Sequence, residues 1–368
     1  MKAGERRSKL LVIGPYPPPN NGWSLAIREE MAALEAAGVE CALLNTAPNR
    51  NEATARGMGF RTVRDYAGRV WVYAGRGYDL RLHMNGDSLK GVGMVLVAQW
   101  LGWLRGRRSA LSFYAGMDQQ YFPARGNLLW KLIWAMVFHS SRVVFCECEE
   151  VAGLIREYRR KLVFVVPLFS KTRLDAQPVD FGEATEAFLL RHQPLFFSYI
   201  AYRPAYHLED LVRVIEGLKA EFPQAGFILV DDRNYAAPAV RDAMDRWFVR
   251  VRFGSAILRT GGLDHDRFLA LLGRSTAYLR THHRDGVSAS VLEAMALGVP
   301  VVAVENGIRP DAVSTYPRGD WSRMLELARH AADGATTLGR TGRAVEARDP
   351  AGEIVSILQR HLWRSLGT

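Results

Sequence analysis

Short apolar runs alternate along this chain with longer segments whose apolar positions recur every three to four residues. Runs of the first kind predict strands and segments of the second kind predict amphipathic helices. In the first half the pattern predicts strand Leu10–Ile13, helix Ser24–Ala37 ending at Gly38, and strand Val39–Leu44. Short strands follow at Val70–Tyr73 and Leu80–His83, then helix Gly91–Trp103, strand Ala110–Tyr114 and helix Asn127–His139. Strand Arg142–Cys146, helix Glu149–Tyr158 and strand Val163–Val166 close this half before Pro167. The polar, aperiodic stretch Leu168–Asp180 reads as a boundary. Beyond it come strand Leu195–Ile200, helix Leu208–Phe222, strand Phe227–Val230, helix Pro238–Phe248, helix Asp264–Leu272 capped by Asp264, and strand Ala277–Arg280. The tail Pro350–Leu366 reads as an amphipathic helix.

Strands that alternate with helices predict parallel sheets covered on both faces. The fold class expected is α/β, with two Rossmann-like doubly wound domains. Domains are expected at residues 1–170 and 171–349, and a C-terminal helix at 350–368 is expected to pack back on the first. Such sheets bind ligands at the carboxyl ends of their strands, here expected in a cleft between the domains.

At 368 residues, 48% hydrophobic and 23% charged, the chain is predicted to fold as a soluble protein rather than remain disordered. No apolar run reaches the ~20 residues of a membrane span. A polar start runs straight into the first strand with no signal peptide, so a cytoplasmic location is expected. Cys41, Cys146 and Cys148 are scattered and lack zinc-ligand spacing, so they read as reduced structural thiols.

Charge is placed unevenly. Residues 1–170 hold 23 Lys and Arg against 14 Asp and Glu, a net of +9, and the remainder nets +1 of the total +10. A basic half suits an anionic membrane surface, an anionic acceptor or nucleic acid. No nucleic-acid recognition motif accompanies it, and nucleic acid is not expected as a partner. Trp100, Trp103, Trp130 and Trp134 stand beside Arg105, Arg107, Arg108, Arg125 and Lys131. This mixture suits a membrane interface. Burial of Asn127–His139 as an ordinary helix against a sheet explains part of it equally well.

The segment from Arg284 to Ala303 carries the chemistry. Asp285 and Gly286 open it, small residues follow, a helix places Glu293 near its first turn, and Gly298 and Pro300 stop that helix before the apolar run Val299–Val304. A turn of small residues at a helix N-terminus presents free backbone N–H groups and the positive end of the helix dipole, which suits a phosphate. An ordinary loop–helix–strand unit, with Glu293 a helix charge, also accommodates the pattern.

The segment resembles the signature of the family 4 retaining glycosyltransferases: an acidic residue, seven residues, Glu, Ala, then Gly, Pro and a strand. Asp285 stands where the family usually has its first Glu, and Glu293 is the second. The resemblance implies that Asp285 contacts the transferred sugar, that Gly286, Val287 and Ser288 present amides to sugar and phosphate, and that Glu293 grips the ribose. His282 and His283 precede this loop and are candidates for phosphate or sugar contact. The loop from Gly14 to Ser24 resembles the family's first strand–loop, which lies against donor phosphate and acceptor, with Asn21 in place of the first of two glycines and Gly22 as the second. Ser24 reads as a helix cap.

Tyr199–Leu211 resembles the segment that carries the family's Arg and Lys on the donor diphosphate; Tyr206 occupies the Lys position and Arg203 is the strong cation nearby. Ser112–Asp118 resembles a strand end with a family His, where this chain has Ala115. Asp118 is a candidate for orienting an acceptor, and a turn explains it as well. Asp231-Asp232 is adjacent rather than alternating and reads as a turn. The resemblance implies a GT-B fold and a glycosyltransferase that moves a sugar from a nucleotide sugar to a saccharide or lipid-linked acceptor with retention, in polysaccharide or glycoconjugate synthesis. No cofactor and no metal are expected, and the basic half is expected at the inner face of an anionic membrane. A non-catalytic nucleotide-sugar-binding or scaffold protein of the same fold is the alternative.

Overall fold

The computed structural model describes residues 8–363 apart from 19–20, 53–55, 168, 170–173, 175–176, 233–235 and 335–348. Its contacts divide the chain into two compact units, Met1–Leu168 with Asp349–Thr368, and Phe169–Arg348.

The first unit is built on strands β1 (Lys9–Gly14), β2 (Glu40–Asn45), β3 (Asp79–Met84), β4 (Ser109–Phe113), β5 (Val143–Cys146) and β6 (Val163–Val165). They form one sheet in the order β2-β1-β3-β4-β5-β6, parallel throughout. Helices α1 (Gly22–Ala36), α2 (Val63–Gly75), α3 (Leu89–Leu104), α4 (Leu128–His139) and α5 (Glu149–Arg156) make the crossovers. One face of the sheet packs on α2 to α5 through Tyr66, Val95, Trp134, Phe138 and Ile155. The other packs on α1.

The second unit repeats the plan. Strands β7 (Leu195–Ala201), β8 (Gly226–Asp232), β9 (Ile257–Arg259), β10 (Ala277–Arg280), β11 (Val301–Val304) and β12 (Ser314–Tyr316) run in the order β12-β11-β10-β7-β8-β9, again parallel. Helices α6 (Glu183–Arg191), α7 (Leu208–Glu221), α8 (Pro238–Arg250), α9 (His265–Gly273), α10 (Ala289–Ala296) and α11 (Trp321–Ala332) flank it. The final helix, α12 (Pro350–Leu358), belongs to the first unit and lies on α1, where Ile354, Val355 and Leu358 meet Met31 and Leu34. Beyond it a π turn runs to Trp363, and the end of the expected tail helix lies outside the described residues. The two expected doubly wound Rossmann-like sheets are therefore present.

Three local expectations are corrected. The apolar run Val70–Tyr73 is not a strand but part of α2, where Tyr66, Val70 and Ala74 fall one turn apart on a buried face and Thr62 caps the first turn. Helix α1 is capped by Asn21 rather than Ser24: the Asn21 side chain accepts from the Ser24 N–H at 2.9 Å while the Ser24 hydroxyl accepts from the Asn21 N–H at 3.0 Å. Asp231-Asp232 ends β8 instead of forming a turn, and Asp231 is buried against Arg259 at 2.9 Å and the Tyr202 hydroxyl at 2.7 Å.

Two charged side chains sit inside the first sheet's core. Arg81 on β3 is fully buried and binds Glu30 of α1 through Nε at 2.5 Å and Nη2 at 2.9 Å, with Ser112 at 2.6 Å. Planar guanidinium and carboxylate match in this geometry, which offsets the cost of taking both from water.

Candidate functional site

A doubly wound sheet offers a ligand position where strand order reverses, because the loops leaving the two central strands diverge to opposite faces. In the second unit the reversal falls between β7 and β10. The loop after β7 holds Arg203, Tyr206 and His207; the loop after β10 runs from Thr281 to Ser288 into α10. In the first unit it falls between β1 and β3, and Asn21 and Gly22 follow β1. Gly14 ends β1 under a close approach: a Cβ there meets the Ile27 Cδ1 at 2.6 Å and the His83 Cβ at 3.1 Å.

The two loops of the second unit are knitted together. His283 N–H donates to the Ala205 carbonyl at 3.2 Å, and its ring Nδ1 lies 3.0 Å from the same oxygen. Tyr206 stacks on His282 at 4.2 Å, with 10° between the rings. Arg318 Nε donates to His207 Nε2 at 3.0 Å, and His283 Nδ1 lies 3.1 Å from that nitrogen. These contacts make His207 Nε2 an acceptor and put the His283 proton on Nδ1. His283 Nε2 then carries a lone pair, and it is buried without a partner among the described residues. Burial pushes His283 down to about 4, so the ring is neutral near pH 7.

Beneath the loop lies a charge cluster. Arg280, the last residue of β10, binds Asp285 Oδ2 through Nε at 3.0 Å and Nη2 at 2.6 Å. Arg309 approaches the same oxygen at 3.6 Å, and His282 Nδ1 lies 3.7 Å from Oδ1. Burial alone raises the Asp285 carboxyl, but Arg280, His282 and Arg309 together hold it well below the ordinary carboxylate range. Asp285 is therefore ionised, with Oδ2 committed to Arg280. Two guanidiniums against one carboxylate leave positive charge under the loop.

At the entrance to α10, Asn306 Nδ2 donates to the Asp285 and Gly286 carbonyls at 3.0 and 3.1 Å, which turns this stretch of backbone. Ser288 adopts φ 72°, a left-handed conformation unusual for a residue with a side chain. It makes no side-chain cap bond, so the first N–H groups of α10 find no side-chain acceptor there. Glu293, one turn into α10, is buried and accepts from His265 Nε2 at 3.0 Å. The helix starts four residues before Glu293, so the carboxylate lies deeper than a first-turn position. An amide-rich turn, a buried cationic cluster and two ionisable carboxylates on one loop and helix suit a ligand that combines phosphate with hydroxyl groups.

Arg203 lies on the loop after β7, His283, Asp285, Gly286, Val287 and Ser288 on the loop after β10, and Glu293 on α10, all in the second unit. Asn21, Gly22 and Asp118 stand in the first, where Asp118 is half exposed and ion-paired with Arg125. Tyr206, at the family's Lys position, is buried, and so is Ala115. Sequence reasoning missed Arg280, Arg309 and His265. A charged residue closing the apolar run Ala277–Arg280 was a signal for the first; the other two reach the site from distant segments. Among the described residues, no group of three or more His, Cys, Asp or Glu is placed to hold a metal ion. All three cysteines are free thiols, and burial pushes each up to about 12.

The model of the family described as glycosyl transferases group 1 matches residues 183–321, which include the whole β7–β10 site. Among curated proteins no sequence match is found. Solved structures of similar fold include Anabaena HepE in complex with UDP-glucose, 12% identical over 96% of this chain and 99% of that one with a TM-score of 0.70. A putative UDP-N-acetylglucosamine 2-epimerase from Listeria monocytogenes is 14% identical over 98% of both chains, with a TM-score of 0.67. Sucrose-phosphate synthase from Thermosynechococcus elongatus is 15% identical over 97% and 95%, with a TM-score of 0.62. At these identities the likeness is one of fold. The chain has the two-domain GT-B fold, and residues 183–321 within it match the glycosyl transferases group 1 family model.

Proposed function

We propose that the protein transfers a sugar from a nucleotide-sugar donor to a saccharide or lipid-linked acceptor, with retention of configuration, in polysaccharide or glycoconjugate synthesis. The observation that carries this reading is the β10–α10 connection, where Asp285, the uncapped α10 N-terminus and buried Glu293 follow one another within the matched family segment. Backbone N–H groups of Gly286, Val287 and Ser288 face the diphosphate and the sugar. Arg203 adds a guanidinium, which binds phosphate oxygens in pairs. Glu293 holds the ribose, with its carboxylate oriented by His265. Asp285 Oδ1 takes a hydroxyl of the transferred sugar while Oδ2 stays on Arg280. His283 Nε2, a neutral acceptor, suits a hydroxyl rather than a phosphate oxygen.

Departure of the nucleoside diphosphate is stabilised by these preorganised donors and by the cationic cluster. The sugar passes through an oxocarbenium-like state. Acceptor binding is assigned to the first unit, where Asn21, Gly22 and Asp118 are the candidate contacts. Structures of similar fold in complex with UDP-glucose or UDP support a nucleotide-sugar ligand.

A second reading, a binding protein without catalysis, is favoured by one observation: the Lys position of the family holds the buried Tyr206, stacked on His282. Incubation of the purified protein with a panel of nucleotide sugars separates the two. Release of nucleoside diphosphate above the uncatalysed rate supports the transferase; binding with no release supports the second reading.

A further inference from the structure

Helices α3 and α4 of the first unit are apolar on both sides. Their inner faces pack on the sheet through Val92, Val95, Trp134 and Phe138, and buried Gln99 ties the two helices by donating to the Val137 carbonyl at 2.8 Å and the Ser141 hydroxyl at 2.9 Å. Trp134 is therefore a core residue, and its indole N–H donates to the Tyr121 carbonyl at 2.7 Å. The outer faces are apolar as well. Trp100 is 59% and Trp103 72% exposed on α3; Leu128 is 70%, Leu132 56% and Met136 52% exposed on α4. Most of the exposed large apolar side chains among the described residues stand on α2, α3 and α4. An ordinary surface helix carries polar residues on this side, and a contiguous apolar face marks an interaction surface.

Charge around the face decides between partners. Between Asp87 and Glu147 the only acidic residue is Asp118, and that one is paired with Arg125. Lys90 and Lys131 lie on the two helices, Arg105 follows α3 with its guanidinium 3.6 Å over the Trp71 ring, and Arg107 is close by. A second copy docked face to face about a two-fold axis sets cations opposite cations. An anionic bilayer offers what the face lacks: negative charge for the basic rim, an interfacial layer for the tryptophans and an apolar layer for the leucines. Helix α3, at 16 residues, is about 24 Å long. No helix among the described residues is long and apolar enough to cross a membrane, so the geometry is that of a face lying on the bilayer.

We propose that the α3–α4 face, with Trp100, Trp103, Leu128, Leu132 and Met136 inside a ring of Lys90, Arg105 and Lys131, docks the first unit on the surface of an anionic lipid bilayer. The proposal stands independently of the chemistry assigned to the second unit. Its test is sedimentation of the full chain with phosphatidylcholine vesicles and with vesicles that also contain phosphatidylglycerol, at low and high salt, together with light scattering in solution. Binding to the anionic vesicles is expected to be at least about tenfold stronger and to weaken with salt. The exposed double variant Trp103→Ser/Leu132→Ser is expected to lose about tenfold or more of that binding with an unchanged melting temperature. Equal recovery with both vesicle types overturns the proposal. So does full binding by the variant, or a dimer in solution that the variant splits.

Discussion

Arg280 holds Asp285 by two hydrogen bonds to one carboxylate oxygen, 3.0 and 2.6 Å long, across a span of five residues. The pair closes the loop between β10 and α10 and aims the other oxygen of Asp285 away from Arg280. Removing the carboxylate leaves a buried guanidinium without its counter-charge, which costs about 3–5 kcal/mol in comparable cases. Asp285→Ala is therefore expected to abolish sugar transfer and also to lower the melting temperature. The double variant Asp285→Ala/Arg280→Met is expected to recover most of the stability and none of the activity, while nucleotide binding through Glu293 persists in both. Recovery of transfer in the double variant contradicts a role for Asp285 at the sugar.

The proposed positive charge for the diphosphate comes from Arg203, the Arg280–Arg309 cluster and backbone N–H groups. Transfer is accordingly expected to be insensitive to chelation: incubation with EDTA followed by gel filtration should leave the rate within about twofold, and added magnesium or manganese should not raise it. A loss of about tenfold or more, restored by one divalent ion, contradicts that account.

Stability should depend on pH through the histidines of the loop. Burial pushes both His282 and His283 down to about 4, whereas an unfolded histidine titrates near 6.5. Between these values the unfolded chain binds more protons than the folded one, so stability is full above pH ~6.5 and falls as pH drops toward 4. Asp285, held low, loses its contribution only in stronger acid. Asp79, raised chiefly by burial, and Asp210, raised by burial and then Glu209, act in the opposite direction. The diagnostic is therefore the difference between wild type and His282→Phe, which keeps a ring against Tyr206. The wild type should lose several degrees more than the variant between pH 7 and pH 4.5, by scanning calorimetry. Identical pH profiles contradict the assignment.

In the first unit the buried pair of Arg81 and Glu30 makes a similar prediction for stability alone. Glu30→Ala is expected to cost about 3–5 kcal/mol by leaving Arg81 buried without a partner. Glu30→Leu/Arg81→Leu is expected to recover much of that, read from urea unfolding.

The two-sheet plan was legible in the sequence because buried parallel strands read as short apolar runs. Leu10–Ile13 and Leu195–Ile200 needed no tertiary information. Val70–Tyr73 misled because valine and aromatic residues favour strands locally, and only packing on the sheet at Tyr66, Val70 and Ala74 decides for a helix. The loop–helix–strand order around Asp285–Ser288 and Glu293 was legible from the glycines, the small residues and Pro300, and the roles proposed for these residues come from the family resemblance. Their partners were not legible. Arg309 lies 24 residues beyond Asp285, and His265 lies 28 residues before Glu293. Helix α11 and strand β12 were absent from the pattern-based expectation: β12, three residues long, is too short to show an alternation, whereas the buried positions Met324, Leu325, Ala328 and Ala331 of α11 do recur at helical spacing and were overlooked.

The central claim is that the loop into α10 holds a nucleotide sugar, with Glu293 on the ribose. The most direct measurement is the shift in melting temperature produced by a panel of nucleotide sugars and nucleoside diphosphates, compared between the wild type and Glu293→Ala. A ligand that binds the folded state raises its stability by mass action, by about 2.7 kcal/mol at a hundredfold excess over Kd. At least one nucleotide sugar should shift the wild type by several degrees, and Glu293→Ala should weaken that ligand's affinity about tenfold or more. A panel that shifts neither protein, or shifts both equally, contradicts the account.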